Sequence, residues 1–131
     1  MLRHHSSIPP TTEHLVKRII GCAVAVHREL GPGFLEKIYQ KALCLELEAE
    51  GIPFECEKPL TVVYRGTGIS GQRVDLLVGG LVIVEAKAVT AVEPVHVAQV
   101  LSYLKTIKLR VGLLFNFRET LLRNGIRRVV L

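Results

Sequence analysis

The chain has 131 residues, 49% of them hydrophobic and 22% charged, a length that suits one domain burying roughly two-thirds of its unfolded surface without disulfide or metal staples. No apolar run approaches the ~18 to 20 residues of a membrane span, which points away from a membrane protein. Seventeen Lys and Arg against twelve Asp and Glu give a net charge of +5, compatible with a polyanionic partner without demanding one.

The first stretch, Met1 to Pro10, lacks the apolar core of a secretory signal. It reads as a disordered lead over residues 1–11, with 12–131 as a single domain acting in the cytoplasm. Thr11 or Thr12 can cap a helix running to Leu30, with Leu15, Ile19, Ala23, Val26 and Leu30 at helical spacing. Gly31-Pro32-Gly33 stops it. A second helix, from Phe34 to about Glu50, places Leu35, Ile38, Ala42, Leu45 and Ala49 on one stripe. These two helices should pack as a hairpin.

From Ile52 the pattern becomes strand-like, interrupted by Pro59, before Arg65-Gly66-Thr67-Gly68 turns the chain. A strand from about Ile69 to Val78 precedes the Gly79-Gly80 turn. The strand Val82-Ile83-Val84-Glu85-Ala86-Lys87 follows it, and this hairpin is expected to form the middle of a sheet. Glu93-Pro94 opens a third helix to about Ile107, then come a strand from Leu109 to Phe115 and an edge strand from Ile126 to Leu131, guarded by Arg127 and Arg128. The order α-α-β-β-β-α-β-β describes an α/β fold, a central sheet flanked by helices.

Cys22, Cys44 and Cys56 are odd in number, widely spaced and form no CxxC. They argue against a disulfide framework or a zinc site and read as reduced, buried small hydrophobes.

On the strand Val82–Lys87, Glu85 and Lys87 share one face. Burying opposite charges there costs several kcal/mol unless a metal ion, partner or substrate offsets it, so the pair is either a site or a strand end that has reached solvent. Asp75 lies in the apolar run Val74-Asp75-Leu76-Leu77-Val78, where a carboxylate needs a partner. If Asp75 and Glu85 are cross-strand neighbours, they form an oxygen pair suited to Mg²⁺ or Mn²⁺. Register tests this: a two-residue Gly79-Gly80 turn would put the two carboxylates on opposite faces, so a three-residue turn or a bulge is expected between them.

On the third helix His96, Gln99 and Tyr103 fall on one face, which is either a polar stripe toward the site or a solvated outer face. On the second helix Glu36 and Tyr39 are i, i+3 partners after the glycine break. Glu36 is either a helix-start residue favoured by the dipole or a third acid for the site.

Asp75, Glu85-Ala86-Lys87 and Gln99-Val100-Leu101-Ser102-Tyr103 together resemble the D…ExK…QxxxY signature of the PD-(D/E)xK nuclease superfamily, in its branch similar to RecB-type exonucleases. Gly33-Phe34-Leu35-Glu36-Lys37-Ile38-Tyr39 resembles the motif that names the GxxExxY family within it. Val74, rather than proline, precedes Asp75.

The resemblance implies a restriction-endonuclease-like core and a metal-dependent nuclease or nuclease-like phosphodiesterase hydrolysing DNA or RNA by a Mg-activated water. Asp75, Glu85, the Ala86 carbonyl and Glu36 would serve the metal, Mg²⁺ or Mn²⁺, with Lys87 orienting or deprotonating the water. Gln99, Tyr103 and Tyr39 would position substrate or site, His96 would lie beside them, and Arg73 and Lys105 would neutralise phosphates. The alternative is a catalytically silent nuclease-fold module that binds nucleic acid or joins an assembly, as a homo-oligomer or a subunit of a larger complex. Four Phe, three Tyr and no Trp supply little base stacking.

Overall fold

The apolar runs become three helices and five strands in the computed structural model, which describes residues 7–131. Helices α1 (Pro10–Leu30) and α2 (Glu36–Ala49) open the chain, followed by strands β1 (Phe54–Tyr64), β2 (Thr67–Val78) and β3 (Val82–Lys87). Helix α3 (Pro94–Ile107), strand β4 (Val111–Asn116), a 3-10 turn at Leu122–Gly125 and strand β5 (Ile126–Val130) complete it. This is the expected α/β order, consistent with a restriction-endonuclease-like core. The sheet runs β1-β2-β3-β4-β5. Its one parallel pairing, β3 with β4, is bridged by α3, because parallel neighbours need a long crossover.

Alternation along β3 sorts the helices onto opposite faces. Val82, Val84 and Ala86 pack with Ile19, Val26, Leu43 and Leu47 of α1 and α2, while Ile83 packs with Val100 and Leu104 of α3. Glu85 and Lys87 share the parity of Ile83, so both open toward α3.

The register that matters most is that of the β2–β3 hairpin. Leu76 pairs with Val84, Leu77 with Ile83 and Val78 with Val82, which leaves Gly79-Gly80-Leu81 as a three-residue turn. Gly79 and Gly80 both take positive φ, +60° and +68°, and Leu81 N–H donates to the Val78 carbonyl at 3.0 Å. One step beyond Leu76 and Val84, Asp75 stands opposite Glu85, as the expected irregularity requires.

Several local expectations are corrected. Helix α1 starts at Pro10, inside the lead predicted over residues 1–11, whose first six positions lie outside the described residues. Neither threonine caps it: Pro9 is the N-cap residue without a side-chain hydrogen bond, and Thr12 is buried. Proline at the first helical position already removes one orphan donor, so less is left for a cap to satisfy.

The buried stripe of α2 is Tyr39, Leu43 and Leu47, flanked by Gln40 and Cys44, rather than the stripe through Leu35, which is 78% exposed. Both stripes have helical spacing, and Tyr39 decides between them. Its ring stacks on Phe117 with centroids 4.5 Å apart. Its hydroxyl donates to the Gly31 carbonyl at 2.5 Å and accepts from Phe34 N–H at 3.1 Å, which ties the turn between the helices to the core.

Pro59 does not interrupt β1, because β1 is an edge strand where a missing N–H costs no ladder bond. Strand β4 begins at Val111 rather than Leu109, since Lys108 closes α3 in the left-handed conformation. Cys22 and Cys44 are buried as expected, whereas Cys56 on the edge strand is exposed.

Helix α3 sits close on the sheet at Gly112 of β4. A Cβ there would collide with Cγ1 of Val100, a branched, fully buried side chain with little rotamer freedom. Gly112→Ala is therefore expected to cost about 1–3 kcal/mol of stability, measured by urea unfolding. An unchanged midpoint and slope would show that α3 does not seat this closely.

Candidate functional site

At the point where the β2–β3 ladder ends, two side chains take over the work of the backbone. Asp75 N–H donates to Glu85 Oε2 at 2.7 Å, and Ala86 N–H donates to Asp75 Oδ2 at 2.9 Å. Each carboxylate thus spends one oxygen on an amide of the facing strand, and the second oxygen of each accepts no hydrogen bond from the described residues. Alternation along β2 breaks here as well: Val74 and Leu77 both pack in the cluster beneath α3, which strict alternation would forbid. The facing position on β1, Glu57, has φ +54°.

Lys87 lies on the same face as Glu85. Its ammonium is 4.0 Å from Glu85 Oε1 and donates to Gln99 Oε1 at 3.1 Å, so a residue of α3 fixes its direction. Glu85 is almost fully buried, while Lys87 keeps some exposure toward a cleft lined by Val95, His96, Ala98, Gln99 and Ser102, about 460 Å³ in volume. Strand β3 therefore runs from the core to an opening beside the α3 N-terminus.

The remaining predicted residues divide into near and far. Tyr103 is buried one turn beyond Gln99, and its hydroxyl accepts from Gln72 Nε2 at 2.7 Å, pinning the exposed β1–β2 hairpin to α3. Glu36 comes from the opposite helical layer and reaches around the strand end, where its Oε2 accepts from Ala88 N–H at 3.3 Å. Among the described residues no group of three or more His, Cys, Asp or Glu side chains is arranged to hold a metal ion, so Glu36 borders the pair rather than completing a three-acid cage.

Tyr39, expected to position substrate, is wholly buried with its hydroxyl engaged on both sides. It acts on the site only through the helix start that carries Glu36. His96 lines the cleft, but its Nδ1 accepts from Glu93 N–H at 2.8 Å within a capping box. Arg73 stands 3.8 Å from Glu57, and Lys105 is exposed on α3.

Three contributors escaped the sequence reading. Asn116, fully buried at the end of β4, accepts from Val89 N–H at 3.0 Å and donates to the Val89 carbonyl at 2.9 Å, holding the segment that leaves Lys87. A polar residue ending an otherwise apolar strand was the available signal. Gln72 and Glu57 sit on exposed strands where polar residues are ordinary, so nothing local marked them.

Burial, and next the charge of Asp75, push the Glu85 carboxyl up to about 7, against the opposing pull of the Asp75 amide and Lys87. Asp75 moves upward too, chiefly from burial, with the hydrogen bond it accepts from Ala86 N–H and the charge of Lys87 opposing. Burial, then the Glu85 charge, holds the Tyr103 hydroxyl at about 12, so it keeps its proton. Two adjacent carboxylates with free oxygens, disfavoured when both are charged, suit a hard divalent cation, whose charge would remove the penalty.

A family model, the PD-(D/E)XK nuclease superfamily, matches residues 13–129. No curated protein and no solved structure matches the chain. Among the described residues no helix is long and apolar enough to cross a membrane.

The raised carboxyl of Glu85 makes stability depend on pH in a defined direction. The folded state binds the Glu85 proton more tightly than the unfolded chain, so this contribution is full below about pH 4.5 and is lost as pH rises through about 7. In chelator, unfolding free energy is expected to fall by up to roughly 3 kcal/mol across that interval, and Glu85→Gln should remove most of the fall. A rise in stability over the same interval, followed by denaturant titration at each pH, would overturn this electrostatic picture.

Proposed function

The chain belongs to the PD-(D/E)XK nuclease superfamily, and we propose that it hydrolyses phosphodiester bonds of DNA or RNA at the cluster of Asp75, Glu85 and Lys87. The observation that carries this reading is the cross-strand clasp, which sets two carboxylates side by side with the Lys87 ammonium on the same face of β3. We also place the chain in the GxxExxY family of the RecB-like branch, on the segment from Gly33 to Tyr39 and the Gln99 to Tyr103 spacing.

In this reading Asp75, Glu85 and the Ala86 carbonyl hold Mg²⁺ or Mn²⁺, which supplies positive charge against the negative charge that builds on the reacting phosphate. Glu36 contributes from the rim, by holding the Ala88 amide and by adding negative charge near the pair. Lys87 orients the attacking water or takes its proton, and Gln99 holds the Lys87 nitrogen in place for that task. Tyr103 keeps α3 and the β1–β2 hairpin in fixed relation through Gln72. The cleft beside Lys87 and the α3 N-terminus takes the nucleic-acid backbone, and His96 lies at its edge.

Calorimetry with Mg²⁺ and Mn²⁺, paired with cleavage of single-stranded and duplex DNA and RNA, tests the proposal. Lys87→Ala is expected to bind the cation but to cut at least ~100-fold more slowly, whereas Glu85→Ala should lose cation binding and cleavage together. Gln99→Ala should lower the turnover rate without weakening cation binding. Cation binding with no Lys87-dependent cutting would leave a nuclease-fold binding module, and indifference to the cation would remove the metal-dependent nuclease.

A further inference from the structure

On the flank of the sheet away from α3, the proposed reaction leaves a pair of sulfurs unused. Cys44 lies on the buried side of α2 and Cys56 on the exposed edge strand β1. Their Sγ atoms are 3.8 Å apart, with the Cys44 thiol donating to Cys56 and Gln40 Nε2 donating to the same sulfur at 3.4 Å. A disulfide needs a separation of about 2.05 Å, so these sulfurs, 3.8 Å apart, require an approach of less than about 2 Å. Sequence spacing hid the pair, because twelve residues and a change from helix to strand separate the two positions.

We propose that Cys44 and Cys56 form a reversible dithiol–disulfide site that reacts with small disulfides such as oxidised glutathione and, when oxidised, latches α2 to β1. The exposed Cys56 thiolate attacks one sulfur of oxidised glutathione, breaking its S–S bond and releasing one glutathione thiolate. The Cys44 thiolate then attacks Sγ of the mixed disulfide on Cys56, and the second glutathione thiolate leaves. Two protein thiols give up two electrons and two protons, and one oxidised glutathione becomes two reduced molecules.

The order of attack follows from the surroundings. Burial, then the hydrogen bond to Cys56, push the Cys44 thiol up to about 12, so Cys44 stays protonated and does not open the exchange with a free oxidant. Its nearness to Cys56 makes the second step intramolecular, which compensates for a small thiolate fraction. Cys22 is buried on α1 and takes no part.

The latch lies beside the proposed nuclease site without depending on it. Cys56 precedes Glu57, whose carboxylate contacts Lys37, Gln40 and Arg73, and Cys44 sits on the helix whose first turn carries Glu36. Oxidation therefore ties the helix of Glu36 to the strand that faces Asp75.

The test uses the full chain treated with oxidised glutathione, then digested without reducing agent and analysed by mass spectrometry. The expected product has lost two hydrogen atoms, contains a linked Cys44–Cys56 peptide and reverts with dithiothreitol, while the free-thiol titre falls from three to one. Cys44→Ser should halt at a glutathione adduct on Cys56, Cys56→Ser should form neither adduct nor bridge, and Cys22→Ser should behave like the wild type. A wild-type product that stops at the mixed disulfide, links Cys22, or crosslinks two chains through Cys56 would overturn the proposal. The wild-type peptide map decides the matter even if a variant folds poorly.

Discussion

Two carboxylates on one sheet face repel each other, and the hydrogen bonds that Asp75 accepts from the β3 backbone, and Glu85 from the β2 backbone, hold them together against that repulsion. These bonds exist only because the hairpin turn has three residues. With two, every side chain of β3 would change faces relative to β2, and Glu85 would point into the apolar layer under α1 and α2. Gly79 and Gly80, each at positive φ, make the longer turn inexpensive. A pair of glycines more than ten ångströms of chain from Glu85 therefore decides which face the site occupies, by an extended-strand estimate of roughly 3.3 Å per residue.

The clasp also explains why the strands part where they do. The last ladder pair is Leu76 with Val84, and beyond it the amides of Asp75 and Ala86 would lose their partners. The carboxylates satisfy them instead, so β2 and β3 part without stranding buried donors. Because one oxygen of each acid is fixed in this way, both carboxylates have set directions, and their free oxygens are the ones a cation would meet. Burial raises both carboxyls, and Glu85, the more deeply buried of the two, is pushed up to about 7.

Most of the architecture was legible because it rests on period and punctuation. Glycine breaks separated the first two helices, a proline opened the third, alternation marked Glu85 and Lys87 as sharing a face, and the need to bring Asp75 to that face required an irregular turn. What escaped was tertiary choice. The stripe through Leu35 and Ile38 and the stripe through Tyr39 and Leu43 fit a helix equally well, and only the stacking of Tyr39 on Phe117, far along the chain, selects the second. Likewise Gln72 becomes a partner of Tyr103 because the hairpin folds under α3, a contact between residues with no local pattern linking them.

Glu36 shows how the two layers meet at the site. Helix α2 packs on the face opposite α3, so a side chain from α2 cannot enter the space between β3 and α3. It can only reach around the end of β3, which is where Glu36 accepts the Ala88 amide. Tyr39 secures that reach by binding the Gly31 carbonyl and the Phe34 amide, which fixes the start of α2. The Gly33 to Tyr39 motif thus acts as a bracket: its aromatic end is anchored in the core, and its acidic residue is presented at the strand terminus. On the other face Gln99 holds Lys87 directly. The strand end is consequently held from both layers, with the acid from one and the amide from the other converging on the short segment between Glu85 and Ala88.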